Sequence, residues 1–239
     1  MIKKILIPLL ILSIGLFLIY GCGEDSGTEP TPVDEFGLVT AVGDEYFTNY
    51  VTQGGLGVNT TIAAVYGLLT DDNDSNDPFI IDYRAQADYD DGHIVGAVNM
   101  SLGDLITNID NGTIPTDKVI LNVCYTGQTA SYATAVLNLL GYEAQNLLFG
   151  MCAVDTSISG ANKWVLQIAE DEHPDLETTE NTTTTTYDFP TLSTGKTTAE
   201  DIIKARFNAS DWTISADDVW DNPENYFIIN YWPYEEYIN

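Results

Sequence analysis

Three short apolar runs limit what this chain can fold into: "PFIIDY" at 78–83, "KVILNVC" at 118–124 and "AQNLLF" at 144–149. Each has the length of a strand, and such continuous apolar runs suit strands buried on both faces. Helical patterns lie between and around them. "TIAAVYGLL" (61–69), "AQADYDDG" stopped by Gly92, and "SLGDLITNI" (101–109), with Ser101 as N-cap and Asp104 at N3, are three. Ala133, Val136, Leu137 and Leu140 then repeat at i, i+3, i+4 and i+7, and Gly141 stops the helix. "DEYFTNYV" (44–51) and "TTAEDIIKARF" (197–207) are helix-like, and "HIVGAVNM" (93–100) is extended. Strands alternating with helices predict an α/β domain with a mostly parallel central sheet flanked by helices.

Charge narrows the partners. Eight Lys+Arg stand against 36 Asp+Glu in 239 residues, a formal net charge of −28. Nucleic acid is excluded as a partner, since phosphate binding needs a basic face. The acidic run "DDNDSND" (71–77) resembles part of a calcium loop but lacks the glycine and final glutamate of an EF-hand. It reads as a solvated loop, and neither a metal nor a cofactor is expected.

The N-terminus reads as a targeting segment. Lys3 and Lys4 precede a nearly all-apolar stretch, Ile5 to Tyr20, of signal-peptide length. It ends in "LIYGC" (18–22), which resembles the lipobox of bacterial lipoproteins. That resemblance implies a signal peptide at 1–21, lipid on Cys22, and an exported protein anchored to a bacterial membrane on the periplasmic side or at the cell surface. Residues 22–40, polar with prolines and glycines, read as a tether. A domain is expected at 41–176 and a Thr-rich linker at 177–197. Beyond it, "FIINYWPYEEY" (227–237) echoes "FIIDYRAQADY" (79–89), and "TISA" (213–216) echoes "TIAA" (61–64). The collinear matches imply a partial second copy at 198–239, including a strand at 227–231.

Two blocks carry a family resemblance. "IIDYRAQADYDDGHIVGAVNMSLGDL" (80–105) joins an Asp-x-Arg strand end to Gly-His-Ile and Gly-Ala-x-Asn. "VILNVCYTGQTASYATAVLNLLGYEAQNLLFGM" (119–151) is a strand, a cysteine loop, a helix and a closing strand. In this order they resemble the rhodanese-like (sulfurtransferase) family. The resemblance implies that Cys124 takes sulfane sulfur from a small donor as a persulfide and passes it to a thiol or other nucleophilic acceptor. It also implies a cradle formed by Tyr125, Thr126, Gly127, Gln128, Thr129 and Ala130, whose N–H groups would favour an anionic sulfur.

Many members carry arginines in this loop; here those places hold Tyr125 and Thr129. A dianion such as thiosulfate should be steered poorly, and a polysulfide or neutral persulfide better. Arg84 is the nearest cation in sequence and reads first as the structural partner of Asp82. His93 reads as a hydrogen-bonding residue rather than a base. Cys152 follows the closing strand, either as a small buried residue or as a second thiol able to react with Cys124. Two functions stay open: a sulfurtransferase, and a non-catalytic rhodanese-fold binding module tethered at a membrane.

Overall fold

The computed structural model describes residues 32–53, 57–155, 157, 186–209 and 213–229. The expected signal segment, Cys22 and the end of the expected second copy lie outside these residues. In chain order the elements are α1 (Glu35–Gln53), β1 (Asn59–Thr60), α2 (Ile62–Leu69), β2 (Phe79–Asp82), α3 (Gln86–Asp91) and β3 (Val98–Asn99). They continue with α4 (Leu105–Asp110), β4 (Ile120–Val123), α5 (Gln128–Leu139), β5 (Ala144–Leu147), α6 (Ala199–Ala209) and α7 (Ala216–Asp221).

The five strands form one parallel sheet in the order β1-β5-β4-β2-β3. In the central pair Phe79 stands beside Ile120 and Asp82 beside Val123. Side chains of successive residues point to opposite faces. Ile81 and Ile120 therefore pack on one face with Leu105, Ile106, Ala133, Val136 and Leu137. Ile80, Leu121 and Val123 pack on the other face with Val65, Ile94, Ala97 and Met151. The expected α/β architecture is present, with helices covering the sheet.

Several expectations change. "HIVGAVNM" gives only a two-residue strand, because Ile94–Ala97 closes as a turn with Gly96 at φ 81°. The edge strand β1 had no apolar run to announce it; it exists through pairing with β5. The tether does not extend to residue 40, because α1 begins at Glu35. The Glu35 carboxylate is largely buried and accepts hydrogen bonds from Thr194 N at 2.7 Å, Thr194 Oγ1 at 2.8 Å and Gly195 N at 2.7 Å.

Helix α6 is also not part of a separate module. Ile203 and Phe207 enter the same core as Ile81, Ile202 is fully buried, and the Phe207 ring stacks on Tyr132 of α5 with centroids 5.3 Å apart. Ending the chain at residue 176 would remove that cover. Helix α7, not expected from the sequence, is capped by Ser215, whose Oγ accepts from Asp218 N at 3.0 Å. Residues 226–229 form no strand, and Phe227, Ile228 and Ile229 are exposed. The likeness to β2 brings no neighbouring strand, and without one the backbone has no ladder to join. Among the described residues no helix is long and apolar enough to cross a membrane.

The Glu35 contacts have a pH signature. Hydrogen bonds from the Thr194 backbone and side chain and from Gly195 hold its carboxyl below its ordinary 4.5. A depressed carboxyl contributes stability that is present above the unfolded value and is lost as the pH falls through the folded one. Urea midpoints should therefore fall on acidification below about pH 4.5. In Glu35→Gln that acid-side fall should be shallower, and stability near neutrality lower. Parallel pH profiles for the two proteins would disprove this role.

Candidate active site

Strands β2 and β4 end side by side, because Asp82 is in register with Val123. The chain after β2 makes the Asp82–Arg84 turn, and the chain after β4 makes the cysteine loop. β3 lies to one side of this pair and β5 to the other, so the strand order reverses here. Parallel sheets form their clefts outside the carboxyl ends of the strands at such a point.

Cys124 is buried, 3% exposed, and its Sγ faces inward along the loop. Gly127 N donates to it at 3.1 Å and Ala130 N at 3.5 Å. Gly127 is the N-cap of α5 at φ 94°, a left-handed conformation that favours glycine. A side chain there would also meet Leu147 O at 3.3 Å. The sulfur thus lies at the amino end of a twelve-residue helix with two N–H groups directed at it. This is a setting that favours negative charge. Of the six expected cradle residues, Gly127 and Ala130 bring their amides to the sulfur. Thr126 and Thr129 are half-buried and Gln128 is exposed.

The Tyr125 side chain makes a contact that the sequence did not announce. Its hydroxyl donates to Asp88 Oδ2 on α3 and accepts from Ala85 N at 3.2 Å. Burial first, and then the bond to Asp88, push its phenol above the ordinary 10. The first residue after Cys124 is therefore pinned to α3. Sequence reasoning missed Asp88, which carries no local signal of a partner 37 residues away.

Arg84 is enclosed, as its structural reading anticipated. Its Nη2 meets Asp82 Oδ2 at 2.8 Å, its Nε lies 3.1 Å from both carboxylate oxygens, and Nη2 also donates to Gly92 O at 2.6 Å. The side chain is 0% exposed, so it offers no cation to a donor in solution. Asn99 Nδ2 donates to Asp82 O and Arg84 O at 2.9 and 2.8 Å. The Asp-x-Arg, Gly-His and Gly-Ala-x-Asn pieces of the sequence thus form one knot that shapes the turn beside the cysteine loop. His93 is exposed, stacks on Tyr89 and bonds Tyr89 O through Nδ1 at 2.8 Å. Among the described residues no His, Cys, Asp or Glu cluster could hold a metal ion, and Asp71 instead accepts from Asn73 N within its own loop.

A buried polar chain underlies the loop. Tyr83 hydroxyl donates to Asn122 Oδ1 at 2.9 Å, Asn122 Nδ2 donates to Thr134 Oγ1 at 2.9 Å, and Thr134 Oγ1 donates to Ala130 O at 2.8 Å. Burial, and secondarily charge at Cys124, hold Tyr83 far above its ordinary 10, so it remains a donor. The chain ties the first turn of α5 to both central strands. Asn122 and Thr134 escaped the sequence reading because a polar residue inside an apolar run does not reveal its partner.

The loop after β5 closes the site. Met151 N donates to Cys124 O at 2.9 Å and Cys152 N to Tyr125 O at 3.1 Å. Cys124 and Cys152 are both free thiols, the first buried and the second half-buried. Gly150 has φ 54°, and a Cβ there would fall 2.4 Å from Cys124 O. Backbone cannot give way as a flexible side chain can. Gly150→Ala should therefore lose about 1–3 kcal/mol and displace residues 124–125. Thermal unfolding checks this; a midpoint equal to wild type would show that the turn is not under this constraint.

Residues 63–154 match the sequence model of the Rhodanese-like domain family. No curated protein matches the chain. Among solved structures, a rhodanese-like domain protein from Staphylococcus aureus is 19% identical, with 41% of this chain and 92% of that chain covered and a TM-score of 0.37. A full-length protein from Lactobacillus plantarum is 26% identical, with 48% and 90% covered and a TM-score of 0.34. Reduced CoADR-RHD from Bacillus anthracis is 23% identical, with 44% of this chain but only 18% of that chain covered, and a TM-score of 0.35. The fold is rhodanese-like, a five-stranded parallel sheet flanked by helices, and residues 63–154 match a domain family that includes sulfurtransferases and non-catalytic members.

Proposed function

We propose that the protein is a sulfurtransferase that carries sulfane sulfur as a persulfide on Cys124. The supporting observation is the pair of amides, Gly127 N and Ala130 N, directed at Sγ from the start of α5. In the first half-reaction the Cys124 thiolate attacks the terminal sulfur of a donor. The donor's S–S bond breaks, and the donor departs with the electron pair as a shortened sulfur anion. In the second, an acceptor nucleophile attacks the outer sulfur, and Cys124 leaves as a thiolate into the same two N–H groups. No general base is needed once the thiol is ionised, which suits a loop without histidine. A cysteine phosphatase would need an arginine six residues after the cysteine, and that residue is Ala130.

The donor proposed is a neutral persulfide or a polysulfide in its singly charged, protonated form, because the loop holds no lysine or arginine and Arg84 is enclosed. We further propose, on the "LIYGC" stretch, that Cys22 bears lipid and that the domain works at a membrane surface outside the cytoplasm. A second reading, a non-catalytic binding module, draws support from Tyr125, whose tie to Asp88 occupies the start of the loop. Mass spectrometry after polysulfide treatment separates the two: the enzyme gains sulfane sulfur that depends on Cys124, and the binding module gains none. Cys124→Ser should fold normally and turn over at the uncatalysed background, because its hydroxyl stays protonated near neutral pH. Retained turnover would refute the assignment.

Thr129→Arg tests the donor preference. Thr129 is half-buried in the first turn of α5. A guanidinium there should raise thiosulfate use about tenfold, the worth of one charge-assisted hydrogen bond of about 1.5 kcal/mol, with a smaller change for polysulfide. Unchanged or reduced thiosulfate use in the folded variant would show that the missing cation does not set donor choice.

A further inference from the structure

We propose that Cys152 is a second sulfur carrier, receiving the sulfane sulfur from Cys124 and presenting it to the acceptor. This rests on the persulfide reading above and extends it.

The two cysteines are far apart in sequence, but the fold locks their backbones together. Met151 N bonds Cys124 O and Cys152 N bonds Tyr125 O, two consecutive rungs at 2.9 and 3.1 Å. Gly150, which lacks a Cβ that would strike Cys124 O and Tyr125 O, allows this close approach. Cys152 directly follows the residue whose N–H meets Cys124 O, so the backbones that carry the two thiols lie in hydrogen-bonded contact. A persulfide extends the Cys124 side chain by a further S–S bond of about 2 Å.

Exposure differs between the two thiols. Cys124 is 3% exposed and enclosed by its loop, whereas Cys152 is half-buried. A bulky acceptor reaches the second more easily than the first.

The chemistry favours transfer over disulfide formation. The Cys152 thiolate, its proton given to solvent, attacks the outer sulfur of the Cys124 persulfide. A new S–S bond forms at Cys152, and the old one breaks with its electron pair left on Cys124 Sγ. That anion is the species that Gly127 N and Ala130 N are placed to receive, and a better-stabilised thiolate leaves faster. Sulfane sulfur moves with no external oxidant or reductant. Attack on the inner sulfur would instead expel sulfide and require Cys152 to enter the enclosed cradle.

The test uses the full chain with inorganic polysulfide, removal of excess donor, alkylation and peptide mapping. In wild type, added sulfur should be found mainly on the Cys152 peptide. In Cys152→Ser and Cys152→Ala it should stay on Cys124. In Cys124→Ser the Cys152 peptide should lose its added sulfur. Sulfur remaining on Cys124 alone in wild type would overturn the relay while leaving the persulfide reading intact. So would a Cys124–Cys152 disulfide with released sulfide, or direct loading of Cys152 in Cys124→Ser. No added sulfur on either cysteine of wild type would overturn both.

Discussion

Parallel pairing of β2 with β4 is the constraint from which the rest follows. Both strands are buried, and each carries apolar side chains toward two different cores. A slip of one residue would exchange those faces for the whole strand. It would also pull Asn122 away from Tyr83 and Thr134, leaving buried polar groups without partners. Hydrophobic pattern and polar satisfaction thus select the same register. In that register Asp82 and Val123 are neighbours, so the next residues of both strands emerge together. The Asp82–Arg84 knot and the Cys124 loop are adjacent for this reason.

The helix that addresses the sulfur is braced from its far side. α5 packs on β4 and β5, and Asn138 near its end exchanges two hydrogen bonds with Ala144 at the start of β5. α6 then covers α5 through the Tyr132–Phe207 stack. α1 joins the arrangement when Glu35 takes up the amides of Thr194 and Gly195 just before α6. Lys204 of α6 reaches Asp110 at the end of α4 at 2.6 Å. Segments from both sides of the matched region therefore steady the helix whose amino end meets Cys124. A cradle of two N–H groups works only if the donors stay fixed relative to the sulfur.

Much of this could be read from the chain. The short apolar runs and the periodic helix around Ala133 and Leu137 each carry their own evidence, because strand and helix burial leave a recognisable pattern. Cys124, Gly127 and the Asp-x-Arg turn were legible because they are local devices. What escaped depends on distant partners. Asn59 and Thr60 are polar and become a strand only by lying beside Asn146 and Leu147. Glu35 looks like tether until residues about 160 positions later bind it. Ile202, Ile203 and Phe207 announce a helix, but not that its apolar face belongs to the first core. Residues 227–229 repeat the first three residues of β2 letter for letter, yet a strand is a relation between segments, and the described chain supplies no neighbour.

Charge gives the site its selectivity on the proposed reading. Two N–H groups at 3.1 and 3.5 Å can stabilise one negative sulfur; they cannot also neutralise a second charge on a bound donor. In many electropositive sites side-chain cations do that work, but here the buried Arg84 guanidinium beside the loop is held by Asp82. Asp88 lies beside Tyr125, and the protein as a whole carries −28. A dianion approaching the loop must give up water without finding a cation, whereas a species with little charge gives up less. The same field acts on the product: a persulfide anion formed in an acidic surround is held by the cradle alone. It is therefore released to a nucleophile as soon as one can reach the outer sulfur.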